Sequence, residues 1–240
     1  MKYRRSTTPP LIARRRRSRR PTVAPSILTV LRTRMPSELN DVKIEPRGYH
    51  HGDLRASLIA AAAAMIAETG AEGFSLRGAA RRAGVSAAAP AHHFGDARGL
   101  LTAVATEGFI ALSNALEAVT GGDRRSMLIA QAHTYLDFAL AHPGLFRLMW
   151  RKEMLDMADD AHVVAGKRAF AALNRVALGN DMATAAPGAP GTAASVAWWS
   201  AVHGFATLAL DGAFAPQGKH HPALDTLLDA TLTYLDRDCG

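Results

Sequence analysis

From Gly52 onward, apolar residues recur at three- and four-residue steps between glycine and proline breakers. Only helices that pack against one another bury such a pattern. Asp53 is placed to cap a first helix carrying Leu54, Leu58, Ala61, Met65 and Ile66 on one side, and Gly70 closes it. Ser75 caps a short second helix over 76–83, and Gly84-Val85-Ser86 turn the chain into a third over 87–94. Later breakers predict helices over 97–119, 124–141, 144–157, 160–179, 192–212 and 220–237, with 185–191 as a loop. No segment alternates polar and apolar residues long enough for a strand. The expected fold is all-α: a three-helix N-terminal unit with a helix-turn-helix over 52–112, then a larger helical body over 113–240.

The stretch from Leu76 to Phe94 has the makings of a helix-turn-helix. Leu76, Ala79, Ala80 and Ala83 form a narrow apolar stripe whose small side chains admit a neighbouring helix closely. Gly84 suits the positive φ of a helix end, Val85 anchors the turn, and Ser86 is the expected cap of the third helix. Pro90 falls near that helix's first turn, where a missing N–H costs little. Two helices joined by so short a turn can push one of them into a groove about 12 Å wide.

Phe74-Ser75-Leu76-Arg77-Gly78-Ala79-Ala80-Arg81-Arg82-Ala83-Gly84-Val85-Ser86, followed by His92-His93-Phe94-Gly95-Asp96 and Leu100-Leu101, resembles the DNA-binding domain of the TetR family of repressors. Ala141-His142-Pro143-Gly144-Leu145-Phe146-Arg147-Leu148-Met149, with Trp199 and His203-Gly204, resembles the subgroup whose C-terminal domain is named for its Trp–His–Gly motif. The resemblance implies a homodimeric repressor, its double-stranded DNA partner a palindromic operator, with a small-molecule effector in the C-terminal domain. It places Arg77 at a base edge or phosphate, Ala87, Ala88, Ala89 and His92 in the groove, and His93 on a phosphate. Arg77 has the geometry to read guanine, and Ser86 to donate to a phosphate. Where the family usually has Tyr and Lys, this chain has Ala91 and Ala97; Arg98 is the neighbouring cation that could substitute.

Charge is divided unevenly. Residues 1–46 carry 12 Lys/Arg and 3 Asp/Glu, a net of +9, which leaves 16 and 18 for the rest, a net of −2. The arm reads as disordered, and as a DNA tether, a targeting peptide or, if translation begins at Met35, no part of the native chain. A nonspecific nucleic-acid binder driven by this arm is the alternative function. Cys239 is the single cysteine, which rules out a disulfide within one chain and suits the reducing cytoplasm. The uncharged run Thr192–Leu210 is rich in Ala, Ser and Thr and reads as a buried helix, so no membrane association is expected.

No GxSxG, HExxH, GxxxxGK or GxGxxG pattern points to an enzyme or a cofactor. His92 and His93 are adjacent and point roughly 100° apart on a helix, so no metal site is expected there. Phe138, Phe146, Met149, Trp150 and His203 are the expected lining of an effector pocket, since Met and aromatic residues make an adaptable apolar surface. Trp199, His203, Ala206 and Leu210 form one stripe of a helix apolar on two faces, and Gly204 admits close approach. These five residues are the expected dimer interface.

Overall fold

The computed structural model describes residues 51–178, 190–214 and 221–238. The basic arm, residues 1–46, lies outside them. Every regular element among the described residues is helical: α1 His51–Thr69, α2 Leu76–Arg82, α3 Ala89–Phe94, α4 Ala97–Glu117, α5 Arg124–Ala141, α6 Pro143–Met149, α7 Asp160–Leu178, α8 Pro190–Leu210 and α9 Pro222–Asp238, with one 3₁₀ turn at Lys152–Met154.

Side-chain caps set several starts. Ser75 accepts from Gly78 N at 3.1 Å, Asp96 from Gly99 N at 2.9 Å, Asp123 from Ser126 N at 2.7 Å and Asp159 from His162 N at 2.8 Å. Each satisfies an orphan donor of the first turn. Two expected caps differ. Asp53 lies inside the first turn of α1, which begins at His51. Ser86 does not cap α3: the N-cap is Ala88, already in the right-handed helical region and without a side-chain bond. The Ser86 carbonyl instead accepts from Ala89 N at 3.1 Å, a turn that delays the helix by two residues.

α4 is the axis of the molecule. It packs along α7 and meets α1, α3, α5 and α6, so Leu100, Leu101, Val104, Phe109, Leu112 and Leu116 are buried. Its polar core residues are satisfied within the helix: Thr102, Thr106 and Ser113 each donate to the carbonyl four residues back, at 2.7–2.8 Å. α4 and α8 are each long and apolar enough to span a bilayer by length and composition. Protein covers most of α4, whereas α8 packs on α5 and α7 through Val202, Phe205, Ala206 and Ala209 and leaves its other face outward.

The expected helix over 144–157 stops at Met149 with no glycine or proline to end it. Tertiary packing does so. The Trp150 ring turns in among Phe109, Phe146 and His203, and the chain reverses through the 3₁₀ turn until Asp156 N donates to Thr102 Oγ1 at 2.8 Å. α6 also approaches α1 so closely that only glycine fits at Gly144, whose missing Cβ would overlap the Ile66 carbonyl.

Candidate functional site

The helix-turn-helix takes shape around Gly84, which adopts φ +70°, while Val85 N donates to Ala80 O at 3.0 Å. On α3, Pro90 is buried and Phe94 half-buried, one turn apart on the inner face. Ala88 and His92 are exposed one turn apart on the outer face, and Ser86 and Ala87 are exposed in the turn before it. Ala89 and His93 are half-buried. The His93 ring contacts His92 at 5.4 Å and Phe94 at 6.3 Å. Arg55 of α1 stacks over Phe94 at 5.2 Å, a cation–π contact that holds the far end of α3.

α2 supplies charge. Arg82 is held by Glu68 in a bidentate pair at 2.6 and 2.7 Å, which keeps the Glu68 carboxyl below its usual range and fastens α2 to α1. Arg77 and Arg81 are exposed, and neither guanidinium has a hydrogen bond or ion pair among the described residues. They stand four apart, on one face of α2. Arg81 was readable as a partner of Arg77 from that spacing alone. Arg98 is exposed too, but its guanidinium donates to the Glu153 carbonyl at 3.4 Å, which directs it toward the helical body.

That body contains a cavity of about 190 Å³. Its walls are Phe109 and Leu112 of α4, Tyr135 of α5, Trp150, the Gly166–Leu173 face of α7 and Trp199 of α8. Of the five residues expected to line a pocket, Trp150 does so. Phe146 and His203 stand behind it, with ring centroids 6.3 and 4.7 Å from Trp150. Phe138 and Met149 are core: Phe138 packs on His142, and Met149 fits against the backbone at Gly108. The other lining residues were missed; they sit on α4, α5, α7 and α8, and sequence alone does not reveal which of their apolar positions face each other.

One polar chain borders the cavity. The Tyr135 hydroxyl lies 2.9 Å from His203 Nδ1, and the Trp199 and His203 ring centroids are 5.6 Å apart. Burial pushes the tyrosine up and the histidine down from their ordinary values, so both are neutral. The contact is therefore one between two neutral groups, its direction set by which imidazole nitrogen carries the proton. The Trp150 Nε1–H is buried with no partner among the described residues.

The cavity wall continues into the reading unit. Arg151, next to Trp150, pairs with Glu72 in the turn between α1 and α2, whose carboxyl is held below its usual range by its own backbone N–H first and by the Arg151 charge second. Glu153 receives Arg98 from the start of α4. A single short segment, 150–156, thus touches the cavity at one end and both flanks of the helix-turn-helix at the other.

The expected dimer stripe faces inward. Ala206 is fully buried within its own protomer, Trp199 and His203 pack on Trp150, and Leu210 packs on the core, so these four are already occupied. Gly204 alone looks outward, and a Cβ there would meet nothing within 4 Å. The outward ridge of α8 runs at steps of four through exposed Val196 and Ser200, half-buried Gly204 and exposed Leu208, and α9 exposes Leu227 and Tyr234 two turns apart on one stripe.

Two family models match the chain: residues 58–104 match "Bacterial regulatory proteins, tetR family", and residues 128–233 match "Tetracyclin repressor-like, C-terminal domain". The second span includes Trp199 and His203-Gly204. A solved protein of unknown function from Rhodococcus sp. RHA1 shares 34% identity, with a TM-score of 0.64 over 80% of this chain and 98% of that one. A TetR family transcription regulator from Marinobacter aquaeolei VT8 shares the fold at 20% identity, TM-score 0.55, over 76% and 95%. A transcriptional regulator from the same Rhodococcus does so at 22% identity, TM-score 0.55, over 75% and 94%. Among curated proteins, none matches the chain.

Proposed function

This chain belongs to the TetR family of bacterial transcriptional regulators, and we propose that it is a dimeric repressor released from a palindromic operator by a small molecule in the cavity beside Trp150. The observation that carries this reading is segment 150–156, which joins the cavity wall to Glu72 and Arg98 on either side of the helix-turn-helix.

α3 enters the major groove with Ala87 and Ala88 offering methyl contacts to thymine, and His92 reaching base edges. Ser86, Arg77 and Arg81 meet the backbone or, for Arg77, a guanine; half-buried Ala89 and His93 stand at the margin. Two protomers join through the outward ridges of α8 and α9, which places two copies of α3 about one helical turn apart on the DNA. Filling the cavity shifts Trp150, and Arg151 and Glu153 carry that shift to the reading unit. Release follows only if the effector prefers the conformation that no longer fits the operator.

Selection of bound DNA from a random pool, with full-length protein and with residues 1–34 deleted, tests the reading. A palindromic consensus that survives the deletion supports it. Loss of nearly all affinity on deletion, with no consensus from either protein, favours nonspecific binding by the arm.

A further inference from the structure

Resting on the reading of α3 as the helix that enters the major groove, we infer that Arg55 of α1 binds a DNA phosphate on the far side of that groove from Arg77 and Arg81. Two backbones flank the groove, which is about 12 Å wide. α3 has six residues and so is about 9 Å long. Side chains near its two ends therefore meet opposite strands. α2, which leads into α3 through the turn, exposes the unpartnered guanidinium groups of Arg77 and Arg81 for one backbone. The other backbone faces the corner from α3 into α4, where Ala91, His92, Gly95, Asp96, Ala97 and Arg98 are exposed.

That corner is short of available cations. Ala91 and Ala97 carry no charge, and Arg98 is drawn toward the Glu153 carbonyl of the helical body. The corner also holds a carboxylate, Asp96, whose Oδ1 accepts from Gly99 N. A phosphate approaching it meets repulsion unless a cation stands nearby. Arg55 supplies that cation. Its guanidinium carbon lies 5.2 Å from the ring centroid of Phe94, the last residue of α3. Arg55 is exposed, and its guanidinium has no hydrogen bond or ion pair among the described residues. Arg82, Arg147, Arg151 and Arg168, by contrast, are each committed to a carboxylate. Stacking on Phe94 uses only the face of the guanidinium, so the N–H groups in its plane stay free for phosphate oxygens. The same contact holds the charge beside the end of α3, which reduces the side-chain entropy lost on binding.

Binding isotherms across a salt series test this with full-length parent, Arg55→Gln and Arg55→Lys. The probes are the duplex selected from the random pool and an unrelated duplex of equal length. Loss of one phosphate contact lowers the slope of log K against log salt by about 0.9. Arg55→Gln should therefore weaken binding to both duplexes alike, with a deficit that shrinks about threefold as salt rises from about 50 to about 200 mM. Arg55→Lys keeps the charge and should keep the parent's slope. Melting temperatures of both variants should stay within about 4 °C of the parent, since only an exposed cation–π contact is altered. A residue that merely held α3 in place would lower affinity without changing the slope. An Arg55→Gln slope equal to the parent's therefore overturns the inference, whether affinity falls or not, and so does a slope lowered equally in Arg55→Lys. Arg81→Ala separates the two levels of the argument. A slope lowered in Arg81→Ala but not in Arg55→Gln refutes the role of Arg55 alone, whereas a parent that saturates neither duplex refutes the groove reading and this inference with it.

Discussion

Replacing Gly144 by alanine should destabilise the protein far more than one methyl group ordinarily does. The added carbon falls well inside the contact distance of the Ile66 carbonyl oxygen, 3.1 Å from the carbonyl carbon and 3.3 Å from Ile66 Cγ2. That carbonyl is tied down, because it accepts from Gly70 N at 2.9 Å at the end of α1. Relief therefore requires α6 and α1 to part by roughly 1 Å, restoring carbon contacts of about 3.5 Å. Overpacking of this kind costs about 1–3 kcal/mol, and a rigid backbone neighbour beside fully buried Ile66 puts the change at the upper end. For a chain of this size about 3 kcal/mol lowers the melting temperature by roughly 6–12 °C. Scanning calorimetry of Gly144→Ala against the parent reads this directly. Gly166→Ala is the control: its Cβ has open space, and alanine favours the middle of a helix by up to about 1 kcal/mol. A Gly144→Ala midpoint within about 2 °C of the parent would refute the close α1–α6 approach.

Arg81→Ala should weaken binding to all DNA sequences alike and reduce the slope of log K against log salt by about 1, whereas Arg77→Ala should also relax the consensus; binding isotherms across a salt series distinguish them. Leu208→Glu or Tyr234→Glu should give helical monomers in sedimentation velocity, because each places a charge on the outward ridges; dimers unchanged in affinity would refute that interface. Glu72→Gln should leave the melting temperature and ligand-free operator affinity nearly unchanged but raise the effector concentration needed for release, since it breaks the Arg151 contact. Lowering the pH should cost stability in two steps. Burial lowers His142, His162 and His203 from 6.5, so the unfolded chain takes up protons first and stability falls as pH drops below about 6.5. Glu68, Glu72, Glu117 and Asp123 are also lowered, mainly by hydrogen bonds, so a second loss begins below about 4.5. Melting curves at pH 7.5, 5.5 and 4 check the sign of both.

Local chemistry explains which parts of this fold were legible in the sequence. Ser75, Gly84 and Pro90 act through bonds and torsions within a few residues, and each takes the role that its type and position suggested. Ser86 fails the same test for a local reason: two further residues turn before α3 begins, so its side chain is too early to cap. The early end of α6 is of another kind. Nothing between Trp150 and Met157 breaks a helix by propensity, and Trp150 leaves it because its ring is drawn between α4 and α8.

The same distinction governs the candidate sites. The reading surface is short and continuous, so Arg77, Ser86 and His92 could be named from one stretch of chain, and Arg81 follows by adding one turn. The cavity draws on four helices, and its residues are ordinary core types until packing leaves a gap at Gly166. On α8 the rule that hydrophobic stripes mark interfaces misdirects. The protomer's own core takes Ala206 fully and Trp199 and Leu210 in part, beside buried Val202, Phe205 and Ala209. What stays outward is a ridge of Val196, Ser200 and Leu208, with half-buried Gly204 in line with them. In a helix packed on both sides, the core takes the stripes it needs, and the outward ridge is what it leaves.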